Sequence, residues 1–303
     1  MDKSLFIPSL ARGEFNQATL AGDVAGGKGT NAARMLKRLG EPVKSLILLG
    51  GLSGQRVAEL IRSSDGIEPI VAWTASATRT IVTVREEELR TNTAFVEPNG
   101  PVTQEEIEAL RKAYLDALEG TSIVIFGGSV PDSALDGIYA EMIQAAKSHG
   151  VRAILDSRGQ ALRAGIEAAP FMAKPNLRET EDLLGAPLRG EKSRWQAIEW
   201  YESKGIEVVV LSMGAQGALA SLAGTRWRAI PPRVEQINPV GSGDCLVAGM
   251  AAGIRRGWHL EEALRLGIAC GAANAAVWEA AHVAPEQVQD LMPRVVLEPA
   301  DAL

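Results

Sequence analysis

The sequence predicts an α/β protein built on a mostly parallel sheet with helices on both faces, and three observations carry that expectation. Short apolar runs alternate with amphipathic stretches long enough to be helices. The runs are rich in Val, Ile and Leu without strict alternation, as strands buried on both faces require. The 303 residues, 46% hydrophobic and 22% charged, suffice for one large core or two smaller ones.

Taken in order, strands are expected over 43–49, 122–126, 151–155 and 207–211. Helices are expected over 103–119, 132–148, 192–204 and 260–278, and behind the glycine-rich starts of 25–40 and 238–257. The clearest is 103–119, where Thr103 and Glu106 form a capping box and Ile107, Leu110, Tyr114 and Leu118 share a face. Two regions break the rhythm: residues 1–24, and residues 69–97 with the strand-like segments IVAWTA, RTIVTVRE and TNTAFVE and no helix between them. They flank a βα unit, so the economical arrangement is a main domain of 25–68 and 98–303 with a small β lid from 1–24 and 69–97. No internal repeat or low-complexity tract interrupts this plan.

Composition narrows the function classes. A net charge of −6 argues against nucleic acid or an anionic membrane as partner. Cys245 and Cys270 show neither metal-ligand spacing nor a disulfide framework, and His149, His259 and His282 are scattered. The opening MDKSLFIPSLARGE lacks the apolar core of a signal peptide, and no apolar run approaches the roughly 20 residues a membrane span needs. A cytoplasmic protein is expected.

Two glycine-rich segments carry the chemistry. In AGGKGTNAARMLKRLG, residues 25–40, a glycine loop feeds a helix marked by Ala32, Met35, Leu36 and Leu39. The unpaired amides of such a helix start attract an anion or a sugar hydroxyl, with Lys28 adding charge. A tight turn before a surface helix would read the same way, and this segment alone does not choose. Gly22 to Lys28 nearly spells a phosphate-binding loop, but Gly29 stands where that loop needs a hydroxyl for Mg²⁺, and no buried strand precedes it.

The second segment, NPVGSGDCLVAGMAAGIRRG at 238–257, places Gly241, Ser242 and Gly243 before a helix with Asp244 in its first turn. A carboxylate favourable to the helix dipole would explain Asp244 simply. A catalytic role explains more: glycines let a ligand approach the backbone, successive amides make an anion nest, and an adjacent carboxylate can accept a proton from an attacking hydroxyl.

Together these segments resemble the two signatures of the ribokinase-like (PfkB) carbohydrate kinases. The likeness extends through TRTIVTV at 78–84, EPNGPVT at 97–103, FGGSVPD at 126–132, LDSRG at 155–159, KPNLRE at 174–179 and LSMGAQGA at 211–218. GGKG, GGSVP and NPVGSGD are similar to the branch of 1-phosphofructokinases and tagatose-6-phosphate kinases. The resemblance implies a three-layer α/β/α domain with a β-sheet lid, and an ATP- and Mg²⁺-dependent kinase. Its expected substrate is a ketohexose monophosphate, fructose 1-phosphate or tagatose 6-phosphate, phosphorylated to a bisphosphate under the lid.

Carried over by position, the resemblance makes Asp244 the catalytic base and the amides of Gly241, Ser242 and Gly243 the anion hole. Asp2, Gly27, Lys28, Asn31, Arg79 and Ser129 match sugar-phosphate positions, although Arg79 alone would read as a solvated lid charge. Asn176 and Glu179 match a motif linked indirectly to Mg²⁺ and the ATP phosphates, and Ser212, Gly214, Gly217 and Asn274 match the nucleotide side. One departure stands at the N-terminus, where Met1-Asp2 resembles the tail of a main-sheet strand ending Asn-Pro-Ala-x-Asp; a start upstream is expected, testable by intact mass. Cys245 reads as a buried small side chain without a chemical role. The alternatives are a kinase for fructose 6-phosphate, for an unphosphorylated sugar or nucleoside, or a silent sugar-phosphate sensor. A homodimer through the lid is also expected.

Overall fold

The structure is a computed structural model that describes residues 1–89 and 91–300. Position 90 of the expected lid and positions 301–303 of the expected main domain lie outside the described residues. The chain begins β1 (Asp2–Ile7), β2 (Leu20–Val24), α1 (Lys28–Arg38), β3 (Ser45–Gly50), α2 (Gly51–Asp65), β4 (Pro69–Thr74), β5 (Ile81–Glu86), β6 (Thr91–Val96) and α3 (Gln104–Leu118). It continues β7 (Ile123–Gly127), α4 (Ile138–Ser148), β8 (Arg152–Asp156), α5 (Gly159–Glu167), β9 (Met172–Ala173), α6 (Leu177–Leu184), α7 (Glu191–Ser203) and β10 (Val208–Ser212). The remainder is β11 (Ala218–Leu222), β12 (Thr225–Ile230), α8 (Ser242–Arg255), α9 (Leu260–Ala275), α10 (Pro285–Leu291) and β13 (Val296–Pro299). These form two compact units, Met1–Gly27 with Lys44–Ala113, and Lys28–Val43 with the described residues from Tyr114 onward.

The first unit holds a four-stranded sheet in the order β2-β1-β5-β6 and a separate parallel pair, β3 with β4. Residues 69–74 therefore do not join the small sheet as expected. The helix α2 between β3 and β4 makes a βαβ crossover, which is what a parallel partner requires. The same pairing draws 44–68, placed in the expected main domain, into this unit, together with 98–113. Met1-Asp2 leads straight into β1, which runs parallel to β5 and antiparallel to β2, rather than ending a main-sheet strand.

The second unit is built on a seven-stranded sheet, β13-β12-β11-β10-β9-β8-β7. Its β7, β8, β9 and β10 are parallel, and β11, β12 and β13 extend it antiparallel. The core gathers around α8 and α9. Every residue of α8 from Asp244 to Ile254 is buried. The two helices close on glycines: a Cβ at Gly249 would sit 2.7 Å from Gly267 Cα, so only hydrogen fits at that crossing. Buried Glu41, just beyond α1, accepts from Arg255 and Arg256 at 2.7 Å each and so ties α1 to the far end of α8.

The expected helix at 103–119 forms with its capping box, Thr103 N donating to Glu106 Oε2 at 2.8 Å and Glu106 N to Thr103 Oγ1 at 3.3 Å. Its predicted apolar face is buried throughout. Among the described residues, no helix is long and apolar enough to cross a membrane.

Candidate active site

Polar side chains of the second unit collect where the parallel strands end, the place an open α/β sheet leaves for a ligand. β7 ends at Gly127, β8 at Asp156, and β9 runs into Lys174. The first turn of α8 faces them. Gly241 caps that helix in the left-handed conformation, φ 86°, and no side chain covers the first-turn amides. A Cβ at Gly241 would also lie 2.8 Å from that of Ala280, so the turn needs glycine for space as well as for φ. Of the amides expected to form the anion hole, that of Ser242 donates to Pro239 O at 3.2 Å. Gly243 and Asp244 occupy the second and third helical positions, whose amides have no acceptor within the helix.

Asp244 is 7% exposed, and its Oδ2 accepts from Asn31 Nδ2 at 2.8 Å. Behind it lies a cluster of charges in which Asp156 and Lys174 are buried and Lys28 and Glu179 partly so. Lys28 Nζ stands 2.7 Å from Asp156 Oδ1 and 3.1 Å from Glu179 Oε1, and Lys174 Nζ is 3.3 Å from the same Asp156 oxygen. Asp156 is 2% exposed and its Oδ2 has no hydrogen-bond partner. Lys174 also borders the loop, since a Cβ at Gly243 would lie 3.1 Å from its ammonium.

This cluster sets the protonation of Asp244. Burial foremost, then the charge of Asp156, pushes its carboxyl up to about 7, against the opposing hydrogen bond from Asn31 and the charges of Lys28 and Lys174. A carboxylate poised there suits a general base at neutral pH. Burial alone would lower the pKa of the Lys28 ammonium, but Asp156, Glu179 and Asp244 outweigh it and hold that pKa above its ordinary value.

The remaining predicted residues divide. Asn176 and Glu179 form a capping box at the start of α6, with the Asn176 side chain accepting from Glu179 N at 2.8 Å and Glu179 Oε2 from Asn176 N at 3.0 Å. Glu179 Oε1 also accepts from Lys28 Nζ at 3.1 Å, so both of its oxygens are engaged within the protein. Ser212 bridges to Asn176 and donates from its amide to Pro175 O at 3.0 Å, locking β10 to that helix start. Gly214 lies in an exposed turn, φ 59°, whereas the need for glycine at 217 comes from β12: a Cβ there would be 2.0 Å from Ala229 O. Ser129 accepts from Arg158 at 3.4 Å, next to a turn pinned by Gly128 N donating to Asp156 O at 2.9 Å.

Asn274 departs most from expectation. It is fully buried, donating to Val240 O at 2.8 Å and Ser242 Oγ at 3.0 Å and accepting from Ala281 N at 2.7 Å. Its amide braces the loop before α8. The thiol beside Asp244, Cys245, and that of Cys270 are both fully buried, and burial raises both pKa values.

In the first unit, the Asp2 carboxylate lies over Gly26, where a Cβ would come within 2.0 Å of Asp2 Oδ2. Gly27 follows with φ 109°, and half-buried Arg79 accepts through its carbonyl from the Met1 amine at 2.9 Å. Sequence reasoning assigned no role to Arg34, Asp156 or Lys174. Asp156 and Lys174 sit at strand ends, and a charged residue ending a buried apolar run was the available signal. Among the described residues, no three His, Cys, Asp or Glu side chains converge to hold a metal. The acceptor left open is Asp156 Oδ2, which fits a Mg²⁺ carried largely by phosphate oxygens and water.

A carboxylate at the mouth of a glycine-opened helix, backed by lysines at the ends of parallel strands, defines a phosphoryl-transferring enzyme of the α/β class. The profile of the pfkB family carbohydrate kinases matches residues 5–286, and the chain belongs to that family. It is 30% identical over 296 residues to 1-phosphofructokinase of Bacillus subtilis, covering 97% of this chain and 95% of that protein. Among solved structures, phosphofructokinase-2 of Escherichia coli in complex with potassium superposes with a TM-score of 0.88 at 26% identity, covering 97% of this chain and 95% of that one. The same enzyme in complex with fructose-6-phosphate gives 0.86 at 26% identity over the same shares. The chain is a sugar kinase.

Proposed function

We propose that this kinase transfers the γ-phosphoryl group of ATP to a free hydroxyl of a ketohexose monophosphate, fructose 1-phosphate or tagatose 6-phosphate, giving a bisphosphate and ADP. The observation that carries the mechanism is the buried Asp244 carboxylate in the first turn of α8, with lysines behind it. Asp244 accepts the hydroxyl proton as the oxygen attacks the γ-phosphorus and the bond to the ADP oxygen breaks. Amides of that first turn receive the charge of the transferring group. Lys174, bordering Gly243, adds positive charge there. Mg²⁺, when bound with ATP, supplies charge neutralisation along the phosphates.

The substrate assignment rests on the relative named 1-phosphofructokinase and on the GGKG and GGSVP segments. Lys28 supports it less than expected, because its ammonium is held by Asp156 and Glu179. Asp2 and Arg79 stay proposed as sugar-phosphate contacts through the resemblance. ATP and sugar phosphates are cytoplasmic metabolites, which supports that location. Fructose 6-phosphate is the second reading, favoured by the E. coli enzyme solved with it. An ADP-release assay with fructose 1-phosphate, tagatose 6-phosphate, fructose 6-phosphate and plain fructose decides: turnover of none of the phosphates refutes the proposal. Asp244→Asn is expected to lose at least about 10²-fold in turnover.

A further inference from the structure

We propose that Arg34 is a positioning residue for the transfer, fixing the amide of Asn31 so that Asp244 is held through Oδ2 and meets the accepting hydroxyl with Oδ1. The inference rests on the reading of Asp244 as the base. In that step the hydroxyl proton passes to Oδ1 as the new O–P bond forms, and the bond from the γ-phosphorus to ADP breaks.

Arg34, on α1, is 2% exposed and among the largest fully buried side chains of the protein. Its guanidinium donates from Nη1 to Asn31 Oδ1 at 3.1 Å and to Ala280 O at 2.9 Å. A guanidinium can only donate, so the Asn31 amide must turn its oxygen to Arg34. Its NH₂ group is thereby forced toward Asp244 Oδ2, which it meets at 2.8 Å. Were the amide reversed, its oxygen would face a carboxylate oxygen, two acceptors without a proton between them. Arg34 thus decides which face of Asn31 the base sees.

A second route starts from the same side chain. Ala280, whose carbonyl Arg34 holds, precedes Ala281, whose amide donates to Asn274 Oδ1 at 2.7 Å, and Asn274 braces Val240 and Ser242. One buried cation therefore steadies both the carboxylate and the loop that presents it. The charged groups bearing on Asp244 are Asp156 at the end of β8, Lys28 at the start of α1 and Lys174 after β9. Lys28 and Lys174 are both turned to Asp156, so the orientation of the Asn31 amide falls to Arg34.

The test compares Arg34→Met, Arg34→Lys, Asn31→Ala and the double variant Arg34→Met with Asn31→Ala. Each is assayed with ATP and fructose 1-phosphate, or fructose 6-phosphate should that be the compound turned over. Arg34→Met is expected to lower kcat about 10-fold or more with a much smaller change in the KM for ATP, and to shift the acid limb of kcat/KM upward. In the Asn31→Ala background the same change should cost less than about threefold, because the orientation it protects is gone. Arg34→Lys, which keeps a donor, should recover part of kcat.

Equal fractional losses in both backgrounds, or a loss that follows melting temperature with an unmoved pH profile, would overturn the proposal. Should Arg34→Met fail to fold, Arg34→Lys in the two backgrounds supplies the same comparison. Asp244→Asn separates the premises: normal turnover there removes the base itself, whereas an inactive Asp244→Asn with additive Arg34 and Asn31 losses removes only the role of Arg34.

Discussion

At Asp244, one environment serves reactivity and opposes stability. Its folded pKa of about 7 lies above the ordinary carboxylate value because of burial and Asp156. Proton acceptance needs the ionised form, so kcat/KM should fall about tenfold per pH unit below that value, a profile read by initial rates across pH 5–9. Stability runs the other way. A folded pKa raised above the unfolded one means the native state binds more protons between the ordinary value and about 7, so stability declines as pH rises through that window. Asp244→Asn should therefore melt at a higher temperature at pH 8, and the gain should shrink toward pH 4, as calorimetry would show. Lys174 tests the cluster from another side. It is 3% exposed and paired with Asp156, so Lys174→Met should cost about 3–5 kcal/mol, measurable by denaturant titration. Losing that cation should also move the acid limb of the activity profile upward.

Among the elements, α8 and α9 act as one piece. Gly267 meets Leu246 O, where a Cβ would come within 2.7 Å, so Gly267→Ala must push the helices apart. Because α9 carries Asn274, which holds the loop before α8, that change should lower kcat along with the melting temperature. A variant that melts earlier but turns over normally would uncouple the two. Element by element, the strands 122–126, 151–155 and 207–211 were legible because a short run of branched apolar residues between turn signals fits little except a buried strand. The pairing of β4 with β3 was not legible, since an apolar run carries no record of its partner. β11 hid in ALASL, whose small residues Ala218, Ala220 and Ser221 weaken the signal of a strand. At the site, Asp244 could be read from its flanking glycines. Arg34 could not, because its importance lies in a contact with Ala280, 246 positions away, and Asp156 and Lys174 offered only the faint signal of a charge ending an apolar run, their partners lying far off in the chain, as Lys28 does for Asp156 at 128 positions.

On the scale of the whole molecule, the four-stranded sheet leaves apolar side chains outward. Phe95 on β6, 59% exposed, points to one face of the sheet, and Val96 on β6 and Leu20 on β2, 57% and 61% exposed, point to the other. Apolar side chains exposed on this sheet are consistent with the homodimer expected through it. Phe95→Asp is expected to yield monomers in light scattering while leaving the far-ultraviolet circular dichroism unchanged; a monomeric parent protein would end the idea.

The two cysteines have a use at the bench. Both sulfurs are sealed in the interior as neutral thiols, Cys245 against the reacting end of α8 and Cys270 on α9. Iodoacetamide should therefore leave the native enzyme unmodified and fully active, and alkylation should follow the rate at which this pair of helices comes open. A ligand that fastens onto the first turn of α8 would slow that labelling, so mass spectrometry of the alkylated protein could screen for binders without any turnover assay.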